Sequence, residues 1–277
     1  MMPLRRAQVQ IQVVYPGVDL LVLASENQAT AIRTFLTTKD ALQLHHPSVN
    51  ALERDAELLR QHAQAVLDSY SLPDTKDLVI YLAPCRPSAA VIRQGLAEHG
   101  IGAEWKGYFD SHPDCLRVFW ASTDLRPLIP VVTHELGHHL RPANLDREYV
   151  EADTYRVTRR LLHEGLAENL VHAVHGTGAL HHTAPSPQPV LDSLVEVLRL
   201  ERAGALLDGK CAGDAFNLLD GNDLYAPGSE LLRRSGLTLH EAARVSPADY
   251  LERIIPHVPN LPSSGQTDDP WSPWARR

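Results

Sequence analysis

Residues 130–140 read Pro130-Val-Val-Thr-His-Glu-Leu-Gly-His-His-Leu140 and contain an H-E-x-x-H pattern from His134 to His138. Proline suits the first turn of a helix, and Pro142 predicts the end of this one. Residues four apart share one helix face, so both imidazoles can ligate the same zinc ion. Glu135 lies about 100° further round the helix, where a general base can take a proton from a zinc-activated water. The pattern therefore predicts a metal centre.

Candidates for the third protein ligand of a catalytic zinc site lie downstream. The longer pattern HExxHxxGxxH does not apply, because it requires glycine and histidine where this chain has Arg141 and Asn144. In Leu161-Leu-His-Glu-Gly-Leu-Ala-Glu168, the residues Glu164 and Glu168 lie one helical turn apart. One carboxylate can therefore ligate the metal while the other accepts a hydrogen bond from the free ring nitrogen of a ligand histidine.

The segment His163-Glu-Gly-Leu-Ala-Glu168 resembles the (N/S)-E-G-(L/F)-A segment of gluzincin metallopeptidases. More narrowly, HELGHH followed by LLHEGLAENLV is similar to a bacterial family of predicted zinc-dependent proteases. The resemblance covers roughly residues 115–255 and is specific in these two segments. It implies a zinc peptidase with His134, His138 and Glu164 as ligands and Glu135 as base.

Two features differ from that family pattern. Position 163 is histidine where the pattern has asparagine or serine, and 25 residues separate the H-E-x-x-H pattern from Glu164, more than is usual. The long interval leaves Glu148 and Glu151 as alternative ligands, because with Ala152-Asp153 they resemble the E-x-E-A-D segment of other HExxH peptidases. In that register the ligand position falls on Tyr149, so Glu164 is favoured.

A zinc peptidase also needs a donor for the oxyanion that develops when water attacks a carbonyl. Tyr225 is the candidate, because Leu224-Tyr-Ala-Pro-Gly228 is similar to a Tyr-x-x-Gly segment of the bacterial family; His240 is the alternative. His172 and His175 continue the helical stripe of Glu164 and are candidate substrate contacts. The four histidines with weaker claims, for which adventitious surface metal binding is expected, are His139, His163, His181 and His182.

Composition argues against several classes of protein. The chain has 277 residues, 34 acidic and 26 basic side chains and a net charge of −8, which favours neither nucleic acid nor an anionic membrane as a partner. Its 3 cysteines are too few and too far apart for a disulfide framework. The N-terminal residues lack the apolar stretch of a signal peptide, so a cytoplasmic protein is expected. The resemblance implies a peptide or protein substrate.

Strand patterns dominate the first half of the chain and helical patterns the second, which predicts an α+β fold. The resemblance implies a zincin-like two-lobed fold. We expect an upper lobe over 1–140 with strands and the H-E-x-x-H helix, a mostly helical lower lobe over 141–260 with the third ligand, and a flexible tail over 261–277. The predicted strands are 8–14, 20–24, 78–82 and 115–121, and the predicted helices are 50–70, 88–99, 130–140, 148–175 and 190–207.

The first two of these strands are expected to form a hairpin-like start. The strand at 115–121 is expected at the sheet edge, where it would pair with an extended substrate peptide. The competing hypothesis for function is a catalytically inactive zincin-fold module that binds or regulates a partner and uses its metal structurally. Hydrolysis of a bond other than a peptide is a third possibility, since metal, water and base are not specific to amides.

Overall fold

The computed structural model describes residues 7–13, 42–43, 49–70, 72, 74–84, 86–87, 105–111, 114–120, 128–152, 154–176, 188–204 and 224–260. Within these ranges the chain forms six β-strands and eight α-helices, so strands and helices are both present as expected. The chain divides into two compact units, Met1–Leu140 and Arg141–Arg277.

The described residues of the first unit form a four-stranded sheet and a separate two-stranded pair. The strands are β1 (Val9–Val13), β2 (Leu42–Gln43), β3 (Leu78–Pro84), β4 (Arg86–Pro87), β5 (Trp105–Ser111) and β6 (Asp114–Trp120). The large sheet has the order β1-β3-β6-β5, in which β1, β3 and β6 are parallel and β5 is antiparallel to β6. The short strands β2 and β4 pair with each other in antiparallel fashion.

The strand predicted at 115–121 is not an edge strand. It forms as β6 and pairs with β3 on one side and β5 on the other, so it lies inside the sheet. Strand β5 was not predicted, because its sequence WKGYFDS contains glycine and aspartate and has no clean alternation. Pairing through backbone hydrogen bonds forms this strand, and a side-chain pattern does not reveal such pairing.

Two helices lie in the described part of the first unit. Helix α1 (Val49–Tyr70) buries Leu59, Ala63, Val66 and Leu67, which recur at helical spacing, and packs against β1. Helix α2 (Leu128–His139) carries the H-E-x-x-H pattern and packs against α1, β5 and β6. The core of this unit therefore supports α2 from several sides.

The second unit is helical within the described residues. Its helices are α3 (Arg147–Glu151), α4 (Arg156–His175), α5 (Gln188–Arg202), α6 (Tyr225–Arg234), α7 (Leu239–Ala242) and α8 (Pro247–Ile254). Helix α4 packs against α5, α6, α7 and α8. Of its residues, Leu161, Leu162, Leu166 and Leu170 are fully buried.

The single helix predicted over 148–175 is wrong, because the chain breaks between α3 and α4. Tyr155 adopts a left-handed backbone conformation with φ of 51°, which does not continue a right-handed helix. The first amides of α4, on Val157 and Thr158, donate to the Glu201 carboxylate at 2.8 and 3.0 Å. Because Glu201 lies on α5, this cap has no local sequence signal.

Several predicted segments lie outside the described residues. They are the strand at 20–24 with its hairpin, the helix at 88–99, His181 and His182, and the tail at 261–277. In the part of the chain that is described, no helix combines the length and the hydrophobicity needed to cross a membrane.

Candidate metal centre

Helix α2 brings the two histidines of the H-E-x-x-H pattern together. The ring centroids of His134 and His138 are 4.9 Å apart, and the rings are nearly perpendicular, at 83°. His134 is 5% exposed and His138 is half-buried. The predicted one-turn spacing on a helix face is therefore present, since the helix runs without a break through both residues.

Glu164 on α4 belongs to the same group. One metal-ligand atom from each of His134, His138 and Glu164 lies within 4.8 Å of the other two, and among the described residues this is the group that could hold a metal ion. Two imidazoles and one carboxylate are the donor set of open zinc sites, with a fourth position left for water. Ligand atoms around a tetrahedral zinc are about 3.3 Å apart, so the widest possible separation in the group, 4.8 Å, exceeds that spacing by about 1.5 Å. The donor chemistry and the spacing both fit a divalent metal.

The alternative acidic ligands lie elsewhere. Glu148 and Glu151 are exposed on the short helix α3 and are not members of the group. The long interval before Glu164 contains a 3-10 turn at Ala143–Leu145, then α3, and then the first turns of α4. The extra residues thus have their own structure, and Glu164 joins the group despite the interval.

The other predicted site residues have different environments. Glu135 is half-buried on α2, beside the first ligand histidine in sequence. Glu168 is 1% exposed on α4, one turn beyond Glu164, and its Oε2 atom is buried. Tyr225 is half-buried and begins α6, the helix that packs against α4.

The remaining histidine candidates are not members of the group. His172 and His240 are exposed, on α4 and α7. His175 is half-buried at the end of α4, and burial lowers its pKa below the ordinary value.

His139 was predicted to lie at the surface, but it is buried. It is 5% exposed, and its Nε2 lies 3.0 Å from the carbonyl oxygen of Lys76, to which it donates. On the same helix, the hydroxyl of Thr133 donates to the carbonyl of Ile129 at 3.0 Å and lies 2.8 Å from Nε2 of His62. Because the single hydroxyl proton of Thr133 is donated to Ile129, Nε2 of His62 is the donor in its bond with Thr133. These bonds hold α2 against the segment before β3 and against α1.

His163 is also not a free surface histidine. Its Nε2 lies 2.7 Å from Oδ2 of Asp146. The Asp146 carboxylate also accepts two hydrogen bonds from Arg141, at 2.6 Å to Oδ1 and 2.8 Å to Oδ2. Arg141 donates further to the carbonyls of Ala242 and Val245. Burial would raise the pKa of Asp146, but the hydrogen bonds from Arg141 and His163 outweigh it and hold this pKa well below its usual range. Asp146 and His163 are 17 residues apart, and Arg141 is 101 and 104 residues from the two carbonyls, so no local motif indicated this network.

The residue after Glu164 touches a second helix through its backbone. A Cβ atom added to Gly165 would lie 2.5 Å from the carbonyl oxygen of Gly228 on α6, and one added to Gly228 would lie 2.7 Å from the carbonyl oxygen of Leu161. Real Cβ atoms essentially never approach another heavy atom closer than 3.0 Å. Both positions therefore need glycine for the two helix backbones to touch.

No family model matches the chain, and comparisons with curated proteins and with solved structures find no significant match.

Proposed function

We propose that this protein is a zinc-dependent peptidase with a zincin-like, two-lobed fold. The observation that carries the proposal is the group formed by His134, His138 and Glu164, whose ligand atoms lie within 4.8 Å of one another. A base in the H-E-x-x-H pattern favours catalysis over a structural metal, because a purely structural site gains nothing from it. Glu135 occupies that position.

Each residue has a defined task in this proposal. His134, His138 and Glu164 hold the ion, which when bound lowers the pKa of water towards 7 and polarises a carbonyl. Glu135 accepts the proton of the attacking water and passes it to the leaving amine. Glu168 accepts a hydrogen bond from a ligand histidine and so fixes its tautomer. The Tyr225 hydroxyl donates to the developing oxyanion.

Metal analysis combined with a cleavage assay on a mixed peptide library tests the proposal. We expect one zinc per chain in the wild type and in Glu135→Gln, and cleavage by the wild type alone, because only the base is removed. Glu164→Ala should lose most of the zinc. The matched control is Glu148→Ala, which removes an exposed glutamate and should keep both zinc and activity.

Other results would contradict individual parts of the proposal. Full retention of zinc in Glu164→Ala would remove this residue from the ligand set. Zinc in both the wild type and Glu135→Gln without cleavage by either would favour a non-catalytic binding or regulatory module. Unchanged kcat in Tyr225→Phe, measured on a peptide that the wild type cleaves, would exclude Tyr225 as the oxyanion donor.

A further inference from the structure

We infer that Gly165 and Gly228 are positioning residues of the metal centre, because their contact sets the position of the helical turn that carries Glu164. The inference rests on the proposed metal site and adds to it a second helix, α6, which supplies no ligand. It assigns a specific role to Gly165, the glycine of the EGLAE segment, which lets the two helix backbones touch directly.

The contact involves backbone atoms on both sides. The position of a Cβ on Gly165 is 2.5 Å from the carbonyl oxygen of Gly228 and 2.8 Å from its carbonyl carbon. The position of a Cβ on Gly228 is 2.7 Å from the carbonyl oxygen of Leu161 and 3.1 Å from the amide nitrogen of Gly165. A peptide unit cannot rotate away as a side chain can, so a methyl group here has to displace a whole helix.

The side-chain amide of Asn169 forms hydrogen bonds at the same contact between α4 and α6. Nδ2 of Asn169 donates to the carbonyl of Gly165 at 2.8 Å and to the carbonyl and hydroxyl oxygens of Ser229 at 3.0 and 3.3 Å. Asn169 lies one turn beyond Gly165 on α4, and Ser229 follows Gly228 on α6. The two helices are thus linked by hydrogen bonds next to the point where they touch.

The displacement would exceed what a metal site tolerates. Moving a Cβ from 2.5 Å to the observed minimum of 3.0 Å requires a shift of at least 0.5 Å beside Glu164. Ligand distances in a competent metal site vary by only about 0.2 Å. A methyl group at either glycine should therefore weaken metal binding in a chain that keeps its ligands.

Zinc affinity measured with a competing chelator, well below the Tm of each variant, tests the inference. Gly165→Ala and Gly228→Ala should each weaken zinc binding by about tenfold or more, the range found when residues that support metal ligands are changed. The double variant should bind about as weakly as either single one, because one separation of the helices accommodates both methyl groups. Leu194→Ala, a buried change on α5, should leave zinc affinity within about twofold of the wild type.

Two outcomes separate failure of this inference from failure of the metal site. If both glycine variants bind zinc like the wild type while Glu164→Gln does not, the glycine contact is ordinary packing and the inference is overturned. If Glu164→Gln also binds zinc like the wild type, the proposed centre is wrong. Should the glycine variants fail to fold by circular dichroism, Asn169→Ala decides, since it loosens the crossing without a clash. It should weaken zinc binding several-fold, and unchanged affinity would overturn the inference.

Discussion

Asp146 shows how one buried carboxylate can organise a segment that follows a candidate metal-binding helix. It accepts hydrogen bonds from Arg141, whose side chain is fully buried, and from His163, the neighbour of Glu164. Arg141 also satisfies two carbonyls near the end of α7. Loss of the carboxylate would leave a buried guanidinium without its counter-charge, which is far more costly than loss of a surface ion pair.

Replacement of Asp146 by asparagine should therefore destabilise the protein in a pH-dependent way. We expect the free energy of unfolding to fall by about 3 kcal/mol at pH 7, the cost of breaking a buried pair. The pKa of Asp146 is lowered in the folded protein from an ordinary value of 3.8. Its ionisation thus stabilises the fold above that value, and the contribution is lost as the pH falls towards the folded pKa.

Urea unfolding at pH 7 and at pH 3 measures this effect. The difference between wild type and Asp146→Asn should be smaller at pH 3, where the wild-type carboxylate has begun to lose its stabilising contribution. Asp68→Asn, an exposed change on α1, should be nearly neutral at both values. A difference that does not shrink in acid would argue against the ion pair as its source.

Helix α1 shows how an element is held by one face. Leu59 is 0% exposed, whereas its neighbour Leu58 is 51% exposed. The side chain of Gln64 on the same helix accepts from the amide of Val9 and donates to the carbonyl of Ala7, so α1 is also tied to the first strand. The helix is therefore fixed by burial of an apolar stripe and by the hydrogen bonds of the Gln64 side-chain amide to the backbone of Ala7 and Val9.

Adjacent leucines on α1 allow a matched stability test. Leu59→Ala should lower the free energy of unfolding by about 2–5 kcal/mol, because it removes buried methyl groups and leaves a cavity. Leu58→Ala should change it by less than about 0.5 kcal/mol. Thermal or urea unfolding of the two variants gives the comparison, and equal losses would contradict the orientation of the helix.

Across the whole molecule, each compact unit buries apolar side chains of its own. The first unit buries Leu78, Ile80 and Leu82 on β3, and the second buries the leucines of α4. The net charge of −8 gives no general affinity for polyanions. The same charge attracts cations in general, and salt screens that attraction. Ligand variants are therefore needed to separate binding at a specific site from it.

Zinc should stabilise the folded chain through the proposed centre. A ligand that binds only the native state stabilises it by about 2.7 kcal/mol when its free concentration is 100 times Kd. We expect this gain in the wild type, its reversal by a chelator, and little gain in His134→Ala or Glu164→Ala. Thermal unfolding with buffered zinc measures it; an equal gain in all three proteins would assign the effect to other histidines.

Local pattern was sufficient for some elements and for the two histidines. The apolar repeat predicted α1, the alternating or apolar runs predicted β1, β3 and β6, and the four-residue spacing placed His134 and His138 on one face of α2. These features depend on neighbours within a few residues, so periodicity and proline positions reveal them.

Tertiary structure decided the features that depend on distant partners. The inner position of β6 depends on pairing with β5, and the helix α4 that follows the break is capped by Glu201 from α5. Asp146 bonds to His163, which is 17 residues away on α4. The contact of Gly165 with Gly228 is of the same kind: the sequence contains both glycines, but only packing brings their backbones together. The sequence pattern predicted Glu164 as a metal ligand. Its position beside the two histidines depends on the fold, because 25 residues separate it from His138 along the chain.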